Sequence, residues 1–159
     1  LVYSSAPATD TFGGLLSGNL ALWGQTYGAA VGPTGNRYLF ATQPSLTVTA
    51  LNQVKTYGQT LNLGSPVLNT DYSVSGLVNA ATYGGVFTQD SFSGTPALGS
   101  AGAVSTASVA GSPYAITPSA GSFVAPATYG ATVYVAGTLT VNPSPLVAIA
   151  ASANNLSKR

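Results

Sequence analysis

Four residue types are missing from this chain of 159 residues: cysteine, histidine, methionine and glutamate. Charge is almost missing too. Asp10, Asp71, Asp90, Arg37, Lys55, Lys158 and Arg159 are the whole set, 4 % of the chain against about 25 % in ordinary soluble domains. Each absence excludes something. Without His, Cys or Glu, the usual general bases and nucleophile partners are gone. A paired-carboxylate hydrolase needs two acids within about 5–10 Å, and only three Asp residues are available. Asp71 and Asp90 are read as turn residues, one near Asn69 and one before Ser91, so the chain is not expected to be an enzyme. Zinc lacks its preferred ligands, and calcium wants six to eight oxygens, usually including several carboxylates. No metal or other cofactor is expected. A net charge of +1 provides no field to gather nucleic acid or anionic lipid. Long apolar runs are absent as well: none approaches the roughly 18 residues of a membrane-spanning helix, so no membrane insertion is expected. Residues 1–20 lack the basic start and apolar stretch of a signal peptide. A chain without Cys suits export through an oxidising compartment. Together with the low charge and the missing His and Met, this favours an extracellular location.

What remains is 45 % hydrophobic, with 19 Gly and 10 Pro. That is too apolar for a disordered linker. No window of about 11 residues keeps a 3.6-residue period, whereas period 2 is frequent. "SLTVTAL" places Leu46, Val48 and Ala50 on one face, and "ATVYVAGTLTV" groups Val133 with Val135 and Leu139 with Val141. "DYSVSGLV", "SPYAITP" and "PLVAIAA" behave alike. Short strands separated by Gly, Pro and Asn predict a mainly β fold, an Ig-like sandwich or, with a helical turn near "GLVNAAT", a β-grasp-like module.

The chain also repeats itself. "PSLTVTALNQVK" is echoed by "PSPLVAIAASANNLSK", with Leu46, Val48 and Ala50 opposite Leu146, Ala148 and Ala150. The spacing of about 100 residues is one domain length. In the first copy Tyr57-Gly58 follows Lys55; in the second the chain stops just after Lys158, and Tyr-Gly is expected next. The expected organisation is a partial or degenerate module over 1–50, a complete module over 51–148, and a linker over 149–159 leading to a further module, in an elongated tandem array.

"KTYGQTLNL", "YSVSGLVNAATYGGV", "GSPYAITPSAG" and "ATVYVAGTLTVNPSPLVAIA" resemble the MBG/YDG-type repeat modules of large bacterial surface adhesins of the filamentous-haemagglutinin-like kind. The likeness covers about 51–159 well and 1–50 loosely. It departs from the pattern at Ala80-Ala81, where Gly-Asp is usual. The resemblance implies a secreted or cell-surface repeat segment that acts as a stalk or spacer and in adhesion. Its partners would be neighbouring modules, a host or matrix glycan or protein, or other copies of the chain. A carbohydrate- or protein-binding module and a subunit of an extracellular filament are the alternative functions.

Few residues invite a site. Trp23, Tyr27 and Tyr38 are candidates for a sugar-stacking platform, weighed against ordinary core packing. Lys55, Tyr57, Gly58, Pro143, Pro145 and Lys158 mark the expected module joints. Lys55 is expected to be exposed, blunting a strand edge, rather than to form an isopeptide crosslink. The joints "TQPS" and "NPSP" are expected to limit bending between modules. Tyr-Gly pairs, at residues 27, 57, 83 and 129, read as turn or bulge devices because Gly accepts φ > 0 without steric cost.

Overall fold

The computed structural model describes residues 1–145, and over these the chain is mainly β. Strand β1 (Val2–Ser4) pairs in parallel with β2 (Tyr38–Phe40). Strand β3 (Thr47–Ala50) lies between β5 (Tyr72–Ser75), which is antiparallel to it, and β8 (Val133–Val135), which is parallel. The third group has the order β4-β9-β7-β6. Its strands are β4 (Gln53–Thr56), β6 (Ala97–Gly99), β7 (Tyr114–Ser119) and β9 (Gly137–Asn142). Of these, β4 runs parallel to β9, and β7 antiparallel to both β9 and β6. The expected helical turn near "GLVNAAT" is a short 3₁₀ turn, Ala80–Tyr83, whose first turn is capped by the Asn79 side chain accepting from the Ala81 amide.

One feature joins the last two groups. Strands β3 and β4 are separated only by Leu51 and Asn52, and β8 and β9 only by Ala136. Thr49 lies opposite Val135 and Gln53 opposite Leu139, so neither chain slips by a residue across the gap. The two paired strands therefore bend together and pass from one sheet to the other. At the bend the Asn52 side chain accepts from the Thr138 amide at 2.9 Å, supplying a rung that the backbone does not. The inward phase reverses there. Leu46, Val48 and Ala50 are buried before the bend, Lys55 after it; Val133 and Val135 point outward before it, Leu139 and Val141 inward after it. The grouping of Val133 with Val135 thus describes the solvent face, and the core side of β8 is Tyr134.

The bend also divides the hydrophobic interior. One cluster is aromatic and gathers Trp23, Tyr38, Phe40, Tyr72, Phe87, Phe123 and Tyr129 around Leu46 and Val48. Trp23 stacks on Phe40 with centroids 4.8 Å apart, and Phe87 meets both edge-on at 6.0 and 5.8 Å. The other cluster is aliphatic and smaller: Ala50, Leu63, Ile116 and Leu139. The boundary expected between Ala50 and Leu51 falls on the bend itself. Packing and pairing cross it, because β3 is the middle strand between β5 and β8, both of which come from the later segment. Likewise "TQPS" is not a free joint: the Pro44 carbonyl accepts from the Gly130 amide at 2.8 Å and the Gln43 side chain donates to the Thr128 carbonyl at 3.2 Å. The expected strand "PLVAIAA" begins at Pro145 and otherwise lies outside the described residues, as does Lys158.

Two changes test this arrangement. A Cβ at Gly137 would sit 2.4 Å from the Ala50 carbonyl oxygen, a backbone atom with no room to move aside. Gly137→Ala is expected to cost at least the roughly 1–3 kcal/mol typical of overpacking, read as a lower urea midpoint with an unchanged slope. A fragment spanning 51–145 lacks β3 and the Trp23–Phe40 stack, and is expected to show no cooperative unfolding transition. A fragment that melts like the whole chain would support a boundary at residue 50.

Candidate functional site

The most constrained polar group is Asp90, 3 % exposed. Its Oδ2 accepts from Trp23 Nε1 at 3.0 Å and from the Tyr129 hydroxyl at 3.2 Å. The same hydroxyl accepts from the Val78 amide at 3.0 Å. Beside it, the Gln89 side chain donates to the Val78 carbonyl and accepts from the Ala80 amide, both at 2.8 Å. The Trp23 amide donates to Thr128 Oγ1 at 3.0 Å. Thr128 is β-branched and has φ 71°, a left-handed conformation that costs on the order of 1–3 kcal/mol and persists only when its surroundings hold it. The contacts of Thr128 to Trp23 and Gln43 hold it. Three distant stretches of chain, around residues 23, 78–90 and 128, are thus tied through one carboxylate. Burial raises the Asp90 carboxyl above its ordinary 3.8, with the hydrogen bonds from Trp23 and Tyr129 opposing the rise. Burial, followed by the neighbouring Asp90 charge, pushes Tyr129 up to about 12, against the pull of the Val78 amide. With two donors already aimed at one oxygen, this arrangement is a structural tie. The turn role read for Asp90 is corrected accordingly, whereas Asp71 does close a turn, its Oδ2 accepting from the Val67 amide at 2.7 Å.

The sugar platform does not assemble. Trp23 and Tyr38 are buried, the latter donating its hydroxyl to the Leu15 carbonyl at 2.7 Å. Tyr27 is 79 % exposed and leans edge-on against Tyr3, remote from the Trp23 stack in its contacts. Lys55 is a second correction: it is 5 % exposed, not solvated. The phase reversal at the bend turns it inward, and its Nζ donates to the carbonyls of Gln59 and Val104. The turn after it is formed as expected. Gly58 has φ 91°, the Gln59 amide donates to the Thr56 carbonyl at 3.0 Å, and Tyr57 is half-exposed. Pro143 and Pro145 are exposed just beyond β9.

Open concavity lies elsewhere. A cleft of about 570 Å³ is lined by Asp10, Phe12, Thr82 and Tyr83 among others, and a second of about 370 Å³ by Tyr3, Ser4, Asp10, Phe12 and Tyr38. Residues 10–12 are common to both. Phe12 stands edge-on to Tyr38 at 5.3 Å and to Tyr83 at 5.9 Å. In the sequence, "DTFGG" and "TYGG" offered only a hint: each is an aromatic-Gly pair set in a loop with no strand alternation to place its ring in a sheet. Among the described residues, no group of three or more His, Cys, Asp or Glu is placed to hold a metal ion, and no helix is long and apolar enough to cross a membrane.

No family model, curated protein or solved structure matches the chain. Its chemistry therefore rests on its own geometry.

The buried carboxyl has a measurable consequence. Since the native state holds the Asp90 proton more tightly than the unfolded chain does, its contribution to stability is complete below pH 3.8 and declines as pH rises through the native value. Tyr129 acts in the same sense at higher pH, its contribution declining between 10.0 and about 12. Urea midpoints of Asp90→Asn, measured from pH 3 to 8, are expected to lose the decline that the parent shows on leaving acid. Parallel curves for the two proteins would place that dependence on another group.

Proposed function

We propose that this chain is a structural segment of a secreted or cell-surface bacterial adhesin, an MBG/YDG-like repeat that serves as stalk or spacer. The observation that carries the reading is how the described chain ends its last strand. β9 is held by β7 over Gly137–Leu139 and by β4 through to Asn142, and the chain then leaves it directly into exposed Pro143-Ser144-Pro145. A firmly paired strand running into a short segment of restricted backbone is the geometry of a bead and a stiff connector, since each proline fixes φ and removes a donor. Tension applied beyond Asn142 would load the β4 and β7 pairings in shear, where the hydrogen bonds share the force instead of opening one at a time. Tandem modules, whether Ig-like or β-grasp-like, in an elongated array belong to this same reading, with each module steadied by its neighbours.

The composition is consistent with that role. A stalk needs neither catalytic bases nor a charged face. It needs strand edges that do not associate, and turns rich in Gly, Pro and Asn interrupt them. An antibody against the chain is expected to label intact cells of the source, with mild protease treatment removing the label. Label that appears only after the cells are permeabilised would overturn a surface role.

A further inference from the structure

We propose that the two clefts flanking Phe12 form one binding groove for a neutral oligosaccharide, with Asp10 as its hydroxyl acceptor. The proposal goes beyond the stalk reading and does not depend on it. The clefts share Asp10, Thr11 and Phe12, so a single ridge separates them and an extended ligand crossing that ridge would occupy both. Each volume falls within the roughly 300–1,000 Å³ of ordinary ligand sites.

The lining has the mixed character that a sugar requires. Pyranose rings offer an apolar C–H face and a rim of hydroxyls. Phe12 and Tyr83 supply aromatic surface, and Tyr83 is held in place by Phe12 and by Phe87 at 5.9 Å. Thr11 and Thr82 supply neutral hydroxyls. Among the described residues, Asp10 carries the only formal charge lining either cleft. Ser4 Oγ donates to its Oδ1 at 2.5 Å, and Oδ2 has no hydrogen-bond partner among the described residues. A partly exposed carboxylate oxygen fixed in this way accepts hydroxyl donors and repels uronates or sialylated chains. The loop bearing these residues is pinned in the walls of the clefts themselves, where Tyr38 donates to the Leu15 carbonyl at 2.7 Å and the Ser17 amide to the Val86 carbonyl at 2.8 Å. Ordering that loop therefore adds little to the cost of binding.

The charge pattern leaves one rival, an organic cation attracted by both the carboxylate and the aromatic faces. The experiment separates the two. Amide resonances of the intact chain are followed by NMR during titration with cellotriose, maltotriose, N-acetylchitotriose, trigalacturonate and tetramethylammonium chloride. Saturable shifts at residues 10–12 and 82–84 are expected with at least one neutral trisaccharide, and weaker or no shifts with the two charged probes. Tyr83→Ala is expected to weaken that binding at least about tenfold, with Asp10→Asn acting in the same direction. Emission from the buried Trp23 reports whether each variant remains folded, and Tyr83→Leu replaces Tyr83→Ala if it does not. The proposal is overturned by the absence of saturable shifts with all three neutral sugars, or by shifts that map elsewhere. Affinity unchanged in both variants, or a preference for either charged probe, overturns it equally.

Discussion

The rest of the fold depends on a bend that two strands make together. Paired strands that change sheets must keep their hydrogen bonds while rotating their inward faces, and an isolated kink in one strand would break register with the other. Here Ala136 and Gly137 bend opposite Ala50 and Leu51, and register survives because Gly137 has no side chain to strike the Ala50 carbonyl. Asn52 replaces the missing rung with its side chain. From this one constraint follow the separation of an aromatic from an aliphatic core, the outward turn of Val133 and Val135, and the inward turn of Lys55.

Burial of Lys55 and Asp90 is the less expected outcome in a chain with so few charges. Both are placed where the backbone or aromatic donors complete them. Lys55 finds two carbonyls of the Gln59 and Val104 segments, and Asp90 finds an indole and a phenol. Removing one partner from such a group leaves the other unsatisfied, which costs more than the pair contributes as a whole. All of these ties but Lys55 to Gln59 span long sequence separations, so they fix the positions of loops that strand pairing alone would leave free.

Much of the strand content was legible because period 2 is a local property. "SLTVTAL" carries its buried face in its own alternation, and Leu46, Val48 and Ala50 are indeed interior. "SPYAITP" and "DYSVSGLV" form β7 and β5 for the same reason. Alternation does not say where a chain changes sheets, and so the phase of Lys55 was misjudged. Nor does it show which side of β8 faces inward, because valine suits either side of a pleated strand. The Asp90 tie was invisible for a different reason: Trp23, Val78 and Tyr129 come from distant segments, and no short motif records them. Trp23 itself carried the signal of a core residue, since aromatic rings hold much of the buried area in a small β fold.

The Tyr-Gly pairs show why a repeated dipeptide is weaker evidence than its repetition suggests. At Gly58 the pair closes a turn beside a strand edge. At Tyr129 the ring is interior, its hydroxyl binds Asp90, and the left-handed residue is Thr128 instead of the glycine. Tyr83 lines an open cleft, and Tyr27 leans on Tyr3 in solvent. The dipeptide therefore specifies a local change of chain direction next to a large ring, and tertiary packing decides what the ring does. A module boundary needs more than the dipeptide: a strand that ends in firm pairing and a stiff, exposed segment after it. Within the described residues β9 runs directly into exposed Pro143-Ser144-Pro145, whereas the chain at Leu51 to Gly58 remains bound into the same pair of strands on both sides of the bend.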